Sequence, residues 1–105
     1  MIEIDLKEAK AVRRNAAAAA ELLRTLAHEA RLSVLCELVG GERTAGALVE
    51  ASGLSQSALS QHLAKLRDEG IVTTRRDGQT IHYRLADPRV ETLLATLYQL
   101  FCGRK

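Results

Sequence analysis

Residues 54 to 85 read LSQSALSQHLAKLRDEGIVTTRRDGQTIHYRL, and this stretch decides the fold. Its first half reads as one amphipathic helix. Ser55 caps it, Leu59, Leu63 and Leu66 recur on one face, and Gly70 stops it after about Glu69. Beyond Gly70 the period changes. Ile71-Val72-Thr73-Thr74 is β-branched, and Thr80 to Leu85 alternates, with Ile81, Tyr83 and Leu85 on one side and His82 and Arg84 on the other. Between the two runs lies Arg75-Arg76-Asp77-Gly78-Gln79, where Asp-Gly is a strong hairpin signal.

Upstream, Thr44 caps a short helix, Thr44 to Ala51, with Ala47 and Leu48 inward, and Ser52-Gly53-Leu54 forms a tight turn. His28 to Val39 predicts another helix, apolar at Leu32, Leu35, Cys36 and Val39, and Gly40-Gly41 ends it. Residues 5 to 27 read as one long helix, capped by Asp5, carried by the alanine run Ala16 to Ala20, and striped by Leu22, Leu23 and Leu26. Downstream, Asp87 caps a last helix with Pro88 at its first position, running to about Phe101. The fold class is therefore mainly α with a β-hairpin wing, the outline of a winged helix-turn-helix. The expected domain is a single one over residues 1–105.

At 105 residues the chain has room for one domain, and a 47% apolar, 27% charged composition is that of a globular protein rather than a disordered tail. No apolar run approaches the ~20 residues of a membrane span. The start, MIEIDLKEAK, lacks the basic-then-apolar order of a signal peptide, so a reducing cytoplasm is the expected compartment and Cys36 and Cys102 are expected as thiols at rest. The net charge of +2 does not by itself argue for nucleic acid, so the placement of the charge has to.

That placement is suggestive. The Ser55–Glu69 helix carries Gln56, Ser57, Ser60, Gln61 and Lys65 off its leucine face. Gln pairs with adenine through two hydrogen bonds, Ser adapts to either base type, and Lys suits phosphate. The N-termini at Ser55 and Thr44 offer free N–H groups to phosphates. Arg75, Arg76 and Gln79 at the hairpin suit a minor groove or its backbone. Taken alone, the Ser/Gln face and the Arg75-Arg76 pair are each more often a solvated surface. His62 reads either as a packed, hydrogen-bonded histidine or as a phosphate contact.

Taken together, Leu54 to Leu85 resembles the reading helix and wing of the ArsR/SmtB family of bacterial repressors, and LRTLAHEARLSVLCELV, Leu23 to Val39, resembles that family too. The resemblance covers about residues 20 to 102. It implies a homodimer, formed largely by the first and last helices, that binds a near-palindromic operator with its reading helices ~34 Å apart. Metal-sensing members carry thiols on the third helix, but here Glu42 to Leu48 has no cysteine. A second family metal site uses the last helix. Asp87 matches its first ligand, but Arg89, Leu100 and Gly103 stand where others would be, so Asp87 is better read as a cap. No metal and no cofactor is expected.

Cys36 and Cys102 remain. Alone, Cys36 reads as a small buried hydrophobe and Cys102 as an inconsequential terminal thiol. Their contexts, LCELV and LYQLFC, resemble the sulfide- and persulfide-responsive branch of the family, the BigR and SqrR type. That resemblance implies that the reduced dithiol binds DNA and that persulfide or polysulfide donors join the two thiols and release it. Arg104 and Lys105 beyond Cys102 would favour thiolate, and the helix C-terminus would oppose it. A peroxide- or disulfide-stress repressor and a metal-responsive one are the alternatives. An enzyme is not expected, since there is no CxxC motif and no positioned acid–base pair.

Overall fold

The computed structural model describes residues 3–103. The elements run α1 (Leu6–Arg14), α2 (Ala16–Leu26), α3 (Glu29–Leu38), β1 (Arg43–Thr44), α4 (Ala45–Ser52), α5 (Gln56–Asp68), β2 (Val72–Asp77), β3 (Thr80–Leu85) and α6 (Pro88–Phe101). This is the element order of a winged helix-turn-helix, and among the described residues no helix is long and apolar enough to cross a membrane.

Local chemistry explains most boundaries. Asp5 and Glu8 form a reciprocal capping box at α1. The hydroxyls of Thr44 and Ser55 accept the N–H groups of Ala47 and Ala58 at 3.1 Å each, which starts α4 and α5. Gly53 and Gly70 follow α4 and α5 with φ of +73° and +74°, a left-handed stop that a Cβ would oppose. Asp87 accepts the Arg89 N–H at 2.9 Å, and Pro88 supplies the fixed φ of the first helical position.

The expected element boundaries and pairings are corrected at three points. The long helix over residues 5–27 is two helices, broken at Asn15, whose side chain donates to the Ala11 carbonyl at 2.9 Å and whose backbone leaves helical geometry. An Asn side chain that bonds its own backbone competes with the helical ladder, and the alanine run restarts the helix at once. The hairpin is part of a three-stranded antiparallel sheet, β1-β3-β2, because Arg43 and Thr44 pair with Tyr83 and His82. Its turn is Gly78-Gln79 rather than Asp77-Gly78. Asp77 still pairs with Thr80, and Gly78 takes φ +65° at the first central position, as a primed turn requires.

The core is one cluster of Leu26, Val34, Leu35, Leu38, Leu48, Leu59, Leu63, Leu66, Ile71, Val72 and Val90, contributed by α2 to α6 and β2. The predicted leucine face of α5 lies wholly within it. On α3 the buried face is Val34, Leu35 and Leu38, while Cys36 and Val39 are exposed. The expectation of an inward Cys36 is thus overturned. The helix is apolar most of the way round, and the outer apolar stripe faces α6 instead of the core.

Candidate nucleic-acid interface and thiol groove

Burying Leu59, Leu63 and Leu66 turns the opposite face of α5 to solvent, and Gln56, Ser57, Ser60, Gln61 and Lys65 are all exposed on it. The first N–H groups of a helix have no intrahelical partner, so those of Gln56 and Ser57 project from the same end. Thr44 and Ser55 lie at the two helix starts, but each hydroxyl is engaged in capping. What they offer an anion is the helix end rather than the side chain.

On the wing, Arg76 and Gln79 are exposed. Arg75 is not free. Its Nε lies 2.9 and 3.0 Å from the two carboxylate oxygens of Glu42, in the loop before β1. Lys65 pairs with Glu69 one turn on, at 3.0 Å. Of the eleven predicted DNA-side residues, the structure gathers most on α5 and the wing, but it ties both Arg75 and Lys65 to carboxylates that sequence reading did not single out.

His62 is half-buried and belongs to a polar cluster under α5. Its Nδ1 accepts a hydrogen bond from Arg31 Nε at 3.2 Å, and its ring meets that of His28 edge-on at 4.5 Å. An acceptor Nδ1 carries no proton, so the neutral ring holds its hydrogen on Nε2. Burial, helped by the positive potential of His28 and Arg31, holds the His62 pKa below the ordinary histidine value. Arg31 Nη1 also donates to the Thr25 carbonyl at 2.9 Å. Thr25, the buried polar side chain of the core region, has its hydroxyl 3.2 Å from a Glu69 carboxylate oxygen and 3.3 Å from the Glu21 carbonyl. Hydrogen bonding to Lys65 holds Glu69 below the usual carboxylate range despite partial desolvation.

The two cysteines are unpaired and exposed, yet they share a surface. Cys36 on α3 and Cys102 at the end of α6 line one open groove of about 350 Å³ with Leu32, Leu94, Leu97, Tyr98 and Phe101. Leu94, Leu97, Tyr98 and Phe101 fall at i, i+3, i+4 and i+7, so the helical period of α6 already marked this wall. The partner wall on α3 is not legible from one helix. A second apolar groove of about 370 Å³ is lined by α2, α3 and α6, including Leu23, Leu32, Leu93 and Leu100. Arg104 and Lys105, expected to favour a thiolate, lie outside the described residues. Asp87 is engaged as the α6 cap and is paired with Arg89 at 2.6 Å. Among the described residues no three of His, Cys, Asp or Glu are grouped to hold a metal.

A profile of bacterial regulatory proteins of the arsR family matches residues 28–74, which hold α3, the helix-turn-helix and the start of the wing. The transcriptional activator HlyU of Vibrio cholerae is 45% identical over 89 residues, 85% of this chain and 82% of that protein. The chain belongs to the arsR family. Among solved structures, the arsR-family chain resembles the transcriptional repressor BigR from Xylella fastidiosa with a TM-score of 0.85 at 41% identity, over 90% of this chain and 97% of that one. It resembles reduced HlyU from Vibrio cholerae with a TM-score of 0.81 at 42% identity, over 90% and 99%. As an arsR-family member it is a DNA-binding transcriptional regulator and not an enzyme.

Proposed function

We propose that this chain is a repressor that binds near-palindromic operator DNA as a homodimer and leaves it when reactive sulfur species bridge Cys36 and Cys102. The observation that carries the reading is that both thiols, far apart in sequence, line the same groove. In each protomer α5 enters the major groove. Gln56, Ser57, Ser60 and Gln61 meet base edges or nearby phosphates, while Lys65, Arg75, Arg76 and Gln79 meet the backbone or the adjacent minor groove. The helix ends at Thr44 and Ser55 bind phosphates.

Exposed apolar surface supports the dimer. Leu23, Leu100 and Phe101 are 54%, 70% and 80% exposed, on the helices that the family resemblance assigns to pairing. Contiguous apolar surface of this kind marks an interaction site.

The sulfur chemistry balances without an outside oxidant. One thiolate attacks the terminal sulfur of a low-molecular-weight persulfide, takes that sulfur and expels the donor's thiol. A second donor extends the chain by one sulfur. The other cysteine then attacks the sulfur next to the first Sγ and expels hydrosulfide. Two persulfides and two cysteine thiols thus become one trisulfide bridge, two donor thiols and one hydrogen sulfide, with sulfane sulfur as the species reduced. The bridge ties α3 to α6 and changes how the two reading helices are held. A coupling of 1–3 kcal/mol gives a roughly 5- to 150-fold loss of operator affinity.

The test is a gel shift on a duplex selected by the reduced protein from a random library, after treatment with a persulfide donor or with peroxide, with mass spectrometry of the products. Release together with sulfur atoms added across Cys36 and Cys102, abolished in Cys36→Ser and Cys102→Ser, is expected. Release by peroxide with loss of two hydrogens, and no response to persulfide, would replace the reading with a disulfide-stress repressor. No response to either would remove the thiol switch.

A further inference from the structure

The groove explains where a bridge forms but not how it reaches α5, because the residues that line it come from α3 and from α6 with its C-terminal cap. We propose that Arg31 and His62 form the positioning joint that holds the DNA-reading helix against α3 and carries the thiol state across. The proposal rests on the reading of α5 as the DNA-contacting helix.

The joint is a fork. One guanidinium on α3 donates from Nε to His62 Nδ1 on α5, at 3.2 Å, and from Nη1 to the Thr25 carbonyl at the end of α2, at 2.9 Å. The carbonyls of the last helical turn have no partner within their own helix, so Arg31 also satisfies an otherwise orphaned acceptor. Planar, two-pronged donation fixes direction as well as distance, which an ammonium does not. Thr25 in turn reaches Glu69, and Glu69 holds Lys65, so α5 is tied to α2 at its end as well as to α3 at its middle.

Location makes the joint sensitive. His62 directly follows Gln61 and lies within one helical turn of Ser60, so its anchoring sets the rotation of the residues aimed at base edges. Arg31 and Cys36 lie on the same helix, about 7.5 Å apart along its axis at 1.5 Å per residue. A packed helix moves as a rigid element, so a displacement at Cys36 appears at Arg31. The Nε–Nδ1 bond is already at 3.2 Å, and a further shift of about half an ångström takes it out of bonding range. Small motions of a packed helix are thereby converted into a made-or-broken contact.

A joint and a phosphate ligand make opposite demands on His62. The joint needs an acceptor at the position of Nδ1, which an Asn amide oxygen supplies. A phosphate contact needs a donor at Nε2, which Asn lacks. The experiment compares His62→Asn, His62→Leu, Arg31→Met and Arg31→Lys with the wild-type chain. It measures binding to the selected duplex and to a scrambled one across a salt series, before and after persulfide treatment, with circular dichroism and thermal melting to establish folding.

His62→Asn is expected to keep wild-type affinity and salt slope. His62→Leu and Arg31→Met are expected to lose roughly fivefold or more on the selected duplex, with no change on the scrambled duplex or in salt slope, and to show a reduced-to-bridged affinity ratio near one. Arg31→Lys keeps the charge but not the fork, and is expected to resemble Arg31→Met. Wild-type affinity and switching in both His62→Leu and Arg31→Met would overturn the proposal. So would an equal loss of affinity on the selected and the scrambled duplex in His62→Asn, which would make His62 a phosphate ligand. A wild-type protein unresponsive to persulfide would remove the thiol switch, while the selected-duplex arm would still decide whether the joint positions α5.

Discussion

Glu42→Gln is expected to make the protein slightly less stable and to make it bind DNA more tightly. In the free protein both Glu42 carboxylate oxygens hold Arg75 Nε, at 2.9 and 3.0 Å. Two unit charges about 4 Å apart attract by ~1 kcal/mol in water and by ~4 kcal/mol at an effective dielectric of 20. The Arg75 side chain is 52% exposed and that of Glu42 30%, which places the pair near the watery limit. Exposed pairs measure 0.2–1 kcal/mol, so the stability loss should stay below about 1 kcal/mol. A DNA phosphate must compete for Arg75 against that same energy. Removing the competitor is worth about 1.4- to 5-fold in affinity per protomer. It also adds about 0.9 per protomer to the magnitude of the salt slope, because one more phosphate is fully neutralised. Fluorescence anisotropy on the selected duplex across a fourfold salt range measures both quantities. The same substitution in an Arg75→Ala background separates the released arginine from the mere loss of a negative charge. An equal gain in both backgrounds, or a weaker complex on Glu42→Gln alone, refutes the reasoning. The second result would make Glu42 an aiming residue for the wing.

Other outcomes follow from the same geometry. Gln61→Ala should cost about 1–3 kcal/mol on the selected duplex and relax base preference at its contact, whereas Arg76→Ala should weaken binding evenly across sequences and lower the salt slope by about 0.9 per protomer; competition assays with single-base variants distinguish them. Leu66→Ala removes a fully buried side chain between α5 and the sheet and should cost 2–5 kcal/mol in chemical denaturation. His62 has a folded-state pKa below its unfolded value, so the unfolded chain binds the proton more readily. Its contribution to stability is complete above the unfolded value and declines as pH falls through the folded one; urea midpoints across this range should fall on acidification, less so in His62→Asn.

The elements that were legible in the sequence are those whose signals are local. Ser55, Thr44 and Asp87 cap the helices they were expected to cap, and Gly70 ends α5 as expected, because a cap or a left-handed stop is decided within a few residues. The leucines of α5 are buried as their spacing requires. What was missed depends on distant partners. β1 is two residues long and has no period of its own; it exists because β3 offers it an edge. Cys36 fits an apolar stripe and still faces outward, since α3 has two apolar sides and only the tertiary packing chooses between them. The ties from Glu42 to Arg75, Arg31 to His62 and Thr25 to Glu69 link residues more than thirty positions apart, which no pattern of neighbours encodes.

The interruption at Asn15 leaves α1 as a nine-residue helix with none of its residues buried. Isolated helices shorter than roughly 12–15 residues are marginal in water, even when well capped. Were α1 to pack across the proposed dimer, the order of this arm and the encounter of two subunits would form a single equilibrium. Dilution alone should unwind the arm, and far-ultraviolet ellipticity should become a titration of assembly, rising with concentration while the leucine core stays intact throughout.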